Sequence, residues 1–171
     1  MTAGTGPWLT ADEQRTWRAY LQAGTRLRAR LNRQLQADSG LSLPEYEVLV
    51  QLSEAPGGQV RPVQLGQDLN WEQSRLSHLL TRMNRRGFVA REDCPGDARG
   101  ALAVLTPAGR AAIESAAPGH VAAVRQLVFG SLDAGQAAAF GQALEKMLGA
   151  LAADEGLAAG YCDHLVCAIR S

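Results

Sequence analysis

Apolar residues between positions 71 and 87 recur at the spacing of one helix face. They stand at i, i+3, i+4 and i+7 from the first: Leu76, Leu79, Leu80 and Met83. The opposite side of that helix collects hydroxyls, an imidazole and guanidinium groups: Ser74, His78, Thr81, Arg82 and Arg85. Gly87 follows and suits the left-handed conformation that often ends a helix. The pattern therefore predicts an amphipathic helix with an apolar stripe packed on a core and a polar, basic opposite face.

Two short strands are predicted directly after this helix. The composition favours strands at 88–92 and 101–105, and the connecting segment 93–100 (DCPGDARG) is rich in turn formers. Thr106 and Pro107 then supply an N-cap and a first-turn proline, which predict the start of a long helix. The two strands are therefore expected to form a hairpin between two helices.

A shorter helix is predicted in front of the amphipathic one. Residues 62–69 (PVQLGQDL) combine a first-turn proline with apolar residues at helical spacing. Asn70 interrupts this pattern, and we expect it to cap the next helix, with Gln73 at the third position of a capping box. A short helix, a tight polar turn and a longer helix form a helix-turn-helix, to which the hairpin adds a wing.

Helices also fill the N-terminal part of the chain. A long helix is predicted from 10 to about 38, followed by a second one that starts at the capping box of Ser42 and Glu45. The second helix is expected to stop at the Pro-Gly-Gly of 56–58. Residues 59–61 are then expected to form a short edge strand beside the wing.

The C-terminal part is predicted to hold two more helices. The helix that starts after Thr106 is expected to reach about position 132, bent at Pro118-Gly119. Asp133 and Gln136 form another capping box, which opens a last helix to about position 153.

The predicted fold class is mainly α with a small β-wing: a winged helix-turn-helix domain plus N- and C-terminal dimerisation helices. Residues 1–9 are expected to be a flexible lead, 10–153 a single domain and 154–171 a tail. The winged helix-turn-helix at about 42–106 is too small to cover the apolar surface of the end helices, 10–38 and 107–153. We therefore expect a second copy of the chain to bury it.

Composition and charge distribution narrow the class of protein. A chain of 171 residues with 46% hydrophobic residues has the length of one globular domain. It has no run of about 18 apolar residues and no signal-like start, so we predict a cytoplasmic protein without a membrane partner. The net charge is zero, but residues 71–110 carry seven basic and four acidic side chains, whereas 111–171 carry three and six. The positive excess thus lies in the predicted helix-turn-helix.

The polar face of the amphipathic helix has the side chains that a DNA major groove requires. Hydroxyls and imidazole reach base edges and phosphates, and arginine can donate two hydrogen bonds to guanine O6 and N7. An exposed basic face is often merely solvated, but between Arg75 and Arg86 the sequence has four arginines and no acid. This local field, together with the wing, favours binding of double-stranded DNA.

Several short motifs resemble the MarR family of bacterial transcription regulators over about residues 10–153. The resemblance rests on WEQSRLSHLLTRM from Trp71, on RRGFV from Arg85, on the wing motif DARG of 97–100, and on LTPAG from Leu105. It implies a homodimer whose two winged helices bind a pseudo-palindromic operator, most simply as a repressor.

The resemblance also implies which residues contact DNA. The recognition helix would enter the major groove, where these residues would face bases and phosphates: Ser74, Arg75, Ser77, His78, Thr81 and Arg82. Arg99 would enter the minor groove, braced by Asp97. Arg85 joins the set by its place on the polar face. Arg75 and Ser77 lie at the flanks of that face, so we expect them to contact phosphates.

Family members are often released from DNA by a small phenolic or other apolar ligand. Tyr20, Tyr46 and His120 are candidates to line such a pocket. The alternative is that these aromatic side chains simply pack the interface, because the sequence provides no convergent set of polar groups.

Other chemistry has weak support. Cys162, His164 and Cys167 could ligate zinc, but three ligands at a non-standard spacing make a poor site, and a docked or disordered tail is the alternative. Cys94 in the wing lies near arginines and could sense oxidants, although an ordinary turn cysteine is the simpler interpretation. We find no catalytic motif and predict neither an enzyme nor a cofactor. The main alternative function is a winged helix that binds an acidic protein partner instead of DNA.

Overall fold

The structure is a computed structural model that describes residues 8–94 and 97–154. At 94 and 97–100 only the backbone is described. The helices are α1 (Ala11–Ser39), α2 (Leu43–Glu54), α3 (Pro62–Asp68), α4 (Gln73–Arg85), α5 (Pro107–Val124) and α6 (Ala134–Asp154). The strands are β1 (Gln59–Val60), β2 (Val89–Cys94) and β3 (Asp97–Leu105). A 3-10 turn spans Pro56–Gly58, and a π-helical segment, Arg125–Phe129, continues α5.

Capping boxes set the starts of three helices, and the sequence predicts two of them, at Ser42 and Asp133. Thr10 and Glu13 form a complete capping box at α1. Ser42 and Glu45 form another at α2. Before α6, Asp133 accepts from the Gln136 backbone at 2.8 Å while the Gln136 side chain accepts from the Asp133 backbone at 3.0 Å. At the end of α1, Gly40 adopts the left-handed conformation (φ 66°).

The three strands form one antiparallel sheet in the order β1-β3-β2. Gln59 and Val60 pair with Val104 and Ala103, which confirms the short edge strand beside the wing. The hairpin is longer than predicted: β2 runs on to Cys94 and β3 begins at Asp97, with an irregularity after Asp93. Turn-forming composition led us to place a loop at 93–100, but an exposed hairpin can pair polar residues through their backbones alone.

The predicted cap of α4 is wrong. Asn70 has φ 51° and forms the left-handed turn after α3, while Glu72 occupies the N-cap position without a side-chain cap. Gln73 is the first residue of the helix, and its side-chain amide donates to the backbone oxygen of Val63, 3.4 Å away. A cap at Asn70 would start α4 at position 71, whereas the helix begins at Gln73, so the turn between α3 and α4 is two residues longer than predicted.

The core lies where α2 meets the apolar stripe of α4. Its fully buried residues come from the first four helices and the turn between α1 and α2: Leu35, Leu41, Val48, Leu49, Leu52, Leu65, Leu76 and Met83. The predicted stripe is confirmed, since Leu79 is also buried and Leu80 packs against the core. Burial of this stripe fixes which face of α4 turns outward.

The C-terminal helices pack less completely. The helix after Thr106 was expected to reach position 132, but α5 ends at Val124 and continues as the π-helical segment to Phe129. Within the described chain, α6 has no buried residue. None of the described helices is long and apolar enough to cross a membrane.

Candidate nucleic-acid interface

The structure places the predicted contact residues of α4 together on its solvent-exposed side. All seven are exposed: Ser74, Arg75, Ser77, His78, Thr81, Arg82 and Arg85. Because the buried stripe holds the opposite side, these side chains form one continuous surface, which we call the α4 face. The hydroxyl of Thr81 donates to the backbone oxygen of Ser77 at 2.9 Å, which leaves its oxygen available as an acceptor.

A close turn sets the angle between α3 and α4. The backbone N–H of Trp71 donates to the oxygen of Gly66 at 2.8 Å. A side chain at Gly66 would displace the amide of Gln73 and lie 3.3 Å from the backbone oxygen of Trp71, so the close approach favours glycine. Sequence reasoning missed this residue, because a glycine inside a helical pattern carries no signal of what lies opposite it.

One flank of the α4 face is held by an aromatic ring. The guanidinium carbon of Arg75 lies 4.6 Å from the centre of the Trp71 ring, which is itself half-buried. Such a cation–π contact restrains the arginine while leaving its N–H groups exposed to a ligand. Arg75 is therefore a restrained donor at the edge of the face.

The far end of α4 is tied to the wing. The side-chain amide of Asn84 donates to the backbone oxygen of Val89 at 3.0 Å. The Thr106 hydroxyl lies 2.6 Å from the oxygen of Gly87, and the same hydroxyl caps α5 by accepting from Gly109 at 3.0 Å. Gly87 has φ 77°, as predicted for the residue that ends α4. Helix and hairpin are thus joined as one unit.

The predicted wing residues lie on β3. The backbone of Asp97 starts the strand and Arg99 follows two residues later. Their side chains, and that of Cys94, lie outside the described atoms. The candidate metal ligands Cys162, His164 and Cys167 lie outside the described residues altogether.

An acid lies beside the basic face, which corrects the expectation of an acid-free surface. Glu45 from the first turn of α2 is 2% exposed. Its Oε1 lies 2.9 Å from Nη1 of Arg86 and 3.4 Å from Nε of Arg82. The sequence suggested no acid because Glu45 is far from both arginines along the chain.

Arg86 is therefore a structural residue. Besides Glu45, it donates from Nη2 to the backbone oxygen of Gly40 at 3.0 Å, and its guanidinium carbon lies 4.6 Å from the centre of the Phe88 ring. These contacts join the end of α4 to the turn between α1 and α2. Three arginines then remain on the α4 face, namely Arg75, Arg82 and Arg85.

The carboxylate of Glu45 stays ionised at neutral pH. Burial by itself would raise its pKa, but hydrogen bonds from the backbone and hydroxyl of Ser42, together with Arg86, hold the pKa below its usual value. Both Ser42 contacts are 2.8 Å long and go to Oε2, so each carboxylate oxygen has its own donors.

Comparison with known proteins identifies the family. The family model described as MarR family matches residues 39–100. The chain is 43% identical to Sco3205, a MarR family transcriptional regulator from Streptomyces coelicolor whose structure was solved in complex with DNA. The similarity covers 84% of this chain and 90% of Sco3205, with a TM-score of 0.78. This chain belongs to the MarR family.

Two further relatives agree with this assignment. AbsC, a MarR family transcriptional regulator from the same organism, is 38% identical over 85% of this chain and 98% of its own, with a TM-score of 0.79. The HTH-type transcriptional repressor YetL from Bacillus subtilis is 32% identical over 84 residues. That match spans 49% of this chain and 50% of YetL, about half of each. The predicted family and the winged helix-turn-helix fold are confirmed, and the family is one of DNA-binding transcription regulators.

A cavity of about 470 Å³ lies behind the winged helix of this MarR-type chain. Its walls are mainly apolar and come from α1, α2, α5 and the π-helical segment: Leu27, Leu31, Leu43, Val50, Val121, Val124 and Phe129. Tyr46 and His120 also line it, with their ring centres 4.4 Å apart. Arg28, Glu47 and Arg125 complete the lining, and an Arg28–Glu47 ion pair joins the first two at 3.0 Å.

One residue that lines this cavity has a polar atom without a partner within the described chain. Nδ1 of His120 is buried without a hydrogen bond. Burial lowers the pKa of His120, so the ring is neutral at pH 7 and can offer one donor and one acceptor. The structure therefore brings together two of the three predicted pocket residues. Tyr20 lies elsewhere, half-exposed and stacked on Trp17 with the ring centres 5.7 Å apart.

Proposed function

We propose that this chain is a homodimeric transcriptional repressor that binds a pseudo-palindromic operator and is released by a small apolar effector. The α4 face carries this proposal, because it presents hydroxyls, an imidazole and arginines on the exposed side of a rigidly held helix. Two such faces related by a two-fold axis would suit two half-sites about one helical turn apart.

We assign different roles to residues of the α4 face. His78 from the middle of α4 and Arg82 from its last turn would contact base edges. Ser74, Thr81 and Arg85 would contact bases or phosphates beside them. Arg75 and Ser77 would contact phosphates, since Arg75 is restrained at the flank by Trp71. From the wing, Arg99 would enter the minor groove and Asp97 would brace it.

Removing both proposed groove contacts tests DNA binding. We expect the double variant Arg82→Ala, Arg99→Ala to bind a footprinted operator at least about tenfold more weakly, because one good bidentate pair alone contributes about 1–3 kcal/mol. The slope of log K against log salt should become shallower by up to about one unit per lost phosphate contact. Fluorescence anisotropy at several salt concentrations measures both quantities.

The control for this test is Arg15→Ala, Arg18→Ala, which removes two positive charges from exposed positions of α1. Equal operator binding by the wild type and the double variant would contradict the assignment. The basic face would then favour the alternative of a protein-interaction module.

The domain division that we propose follows from the exposed apolar side chains. Residues about 10–38 and 107–153 would form the dimer, and 42–106 would form the DNA-binding unit. Large apolar side chains are 41–56% exposed on the two proposed dimer segments: Trp17, Tyr20, Leu21, Leu127, Phe129, Phe140, Met147, Leu148 and Leu151. Helices that are exposed all round in one chain gain most of their stability by packing on another.

The cavity beside Tyr46 is our proposed effector site. Its size lies within the range of small-molecule pockets, and its apolar walls with a few polar atoms suit a one-ring aromatic molecule. The phenolic hydroxyl of Tyr46 is protonated at neutral pH, since burial raises its pKa, and can serve as a polar contact.

Effector binding is tested with a panel of one-ring phenols and aromatic carboxylates. A ligand at 100 times its Kd should stabilise the folded protein by about 2.7 kcal/mol and should release the operator. Val124→Phe, which narrows the cavity, and His120→Leu, which replaces a polar ring in its lining, should each weaken this thermal shift. Val63→Phe, a substitution at an exposed site on α3, is the control. Undiminished ligand binding by both cavity variants would place the effector elsewhere.

A further inference from the structure

We propose that Glu45 is a specificity-determining residue that holds Arg82 in position to recognise guanine. This inference rests on the proposed DNA-binding function. Glu45 belongs to α2, is buried and would not touch DNA, so it would act through the arginine and count as a positioning residue.

The geometry of Glu45 divides its two oxygens between two tasks. Oε2 accepts from the backbone and hydroxyl of Ser42, both at 2.8 Å, and so remains in the capping box of α2. Oε1 faces α4, where it lies 2.9 Å from Arg86 and 3.4 Å from Arg82. The capping box thus fixes Oε2 at the start of α2, and Oε1 presents a fixed negative charge to α4.

The atom through which Arg82 meets Glu45 decides what remains for DNA. Glu45 lies beside Nε, whereas a bidentate contact with guanine O6 and N7 can use the two Nη groups. The Arg82 side chain is 59% exposed, so its guanidinium is accessible while one edge is held. Restraining a long side chain before binding reduces the conformational entropy that the contact would otherwise lose.

The same contact disfavours random DNA. Non-specific binding depends on attraction between arginines and phosphates, and Glu45 competes with a phosphate for the same guanidinium. At a correctly placed guanine, Arg82 satisfies both partners at once. Glu45 therefore raises the ratio of specific to non-specific affinity in two ways: it strengthens binding at the correct guanine and weakens binding to random DNA.

Arg86 is the second arginine that contacts Oε1 of Glu45. Arg86 also binds the Gly40 backbone and lies over Phe88, so it stays in place whatever Arg82 does. Its charge offsets part of the carboxylate's, so the Arg82 contact at 3.4 Å is the weaker of the two. Glu45 thus has one partner that is part of the structure and one whose outer edge remains available to DNA.

Glu45→Gln is the substitution that tests the proposal, because glutamine can still complete the capping box while losing the charge. We would measure affinity for the mapped operator, for a set in which each base pair is exchanged in turn, and for an unrelated duplex. A bidentate contact should make the operator bind roughly tenfold or more tightly than a duplex with the G·C pair exchanged. In Glu45→Gln this ratio of affinities should fall at least about fivefold at one G·C pair of each half-site. Affinity for the unrelated duplex should rise, with a steeper salt dependence of up to about one unit.

Two further variants separate this mechanism from a general charge effect. Glu114→Gln makes the same charge change at an exposed site on α5 and should leave the discrimination profile unchanged. In an Arg82→Ala background, Glu45→Gln should have no further effect at the sensitive base pair. An effect of equal size without Arg82, or an unchanged profile in Glu45→Gln, would overturn the proposal.

A measurement on the wild type covers the case in which Glu45→Gln fails to fold. In the free protein, the NMR signal of the Arg82 Nε–H should report slower guanidinium rotation than that of exposed Arg85 on the same helix. Equal rotation rates would refute the contact. A wild type that binds no duplex would reject the proposed function itself, whereas operator binding with an unaltered Glu45→Gln profile would reject this inference alone.

Discussion

The double variant Phe140→Asp, Leu148→Asp is expected to be a monomer that has lost tight operator binding. These two side chains are 43% and 48% exposed on α6, a helix with no buried residue in the described chain. Their burial against a partner would have to desolvate four carboxylates per dimer, which costs far more than the lost apolar contacts. Two unlinked heads should bind a palindromic site about 10²–10⁴-fold more weakly, because the second contact is no longer intramolecular.

Analytical ultracentrifugation at micromolar concentration measures the oligomeric state, and a gel-shift titration measures the affinity. Val63→Asp, at a 60% exposed site on α3, is the control for oligomeric state, since it replaces an apolar side chain by a carboxylate outside the proposed interface. A dimeric Phe140→Asp, Leu148→Asp protein would disprove the role of α6 in association.

The second large effect is expected from Gly109→Ala. Gly109 lies in the first turn of α5, where an added side-chain carbon would collide with the backbone oxygen of Phe88 and approach Leu105 Cδ1 to 2.8 Å. A backbone obstacle cannot rotate away, so α5 must shift and weaken the contacts of Thr106 with Gly87 and Phe88. We expect a loss of about 1–3 kcal/mol in the free energy of unfolding, as for other overpacked sites.

Urea unfolding at a fixed protein concentration measures this loss. The control is Gly24→Ala, since nothing lies within 4 Å of that position in helix α1. Alanine there should preserve or slightly raise stability through its higher helix propensity. Equal stability of the wild type and Gly109→Ala would mean that the α5 start adapts without cost.

Local patterns in the sequence were sufficient for most of the elements. Capping boxes at Ser42 and Asp133 act within one turn of helix, and the apolar stripe of α4 repeats every three to four residues. The left-handed Gly87 and the Thr106 cap are likewise decided by near neighbours. Because these interactions span few residues, their spacing along the chain predicts them.

The same reasoning failed where two local solutions compete. Asn70 can cap a helix or adopt a left-handed turn, and both are favoured by its short polar side chain. In the structure Asn70 adopts the left-handed turn, and the backbone N–H of the following Trp71 donates to the oxygen of Gly66. The loop is also shorter than the predicted 93–100. Its turn-forming residues can lie in a loop or in a strand, and pairing between β2 and β3 extends the hairpin to Cys94 and Asp97.

The sequence by itself determined which side chains α4 exposes, because helical periodicity and burial of the leucine stripe leave no other choice. Only the tertiary structure decided how those side chains are held. It brought Glu45 against Arg82 and Arg86, paired Tyr46 with His120 around a cavity, and left Tyr20 apart from it. Contacts between residues tens of positions apart depend on how the helices cross, and no spacing along the chain encodes that angle.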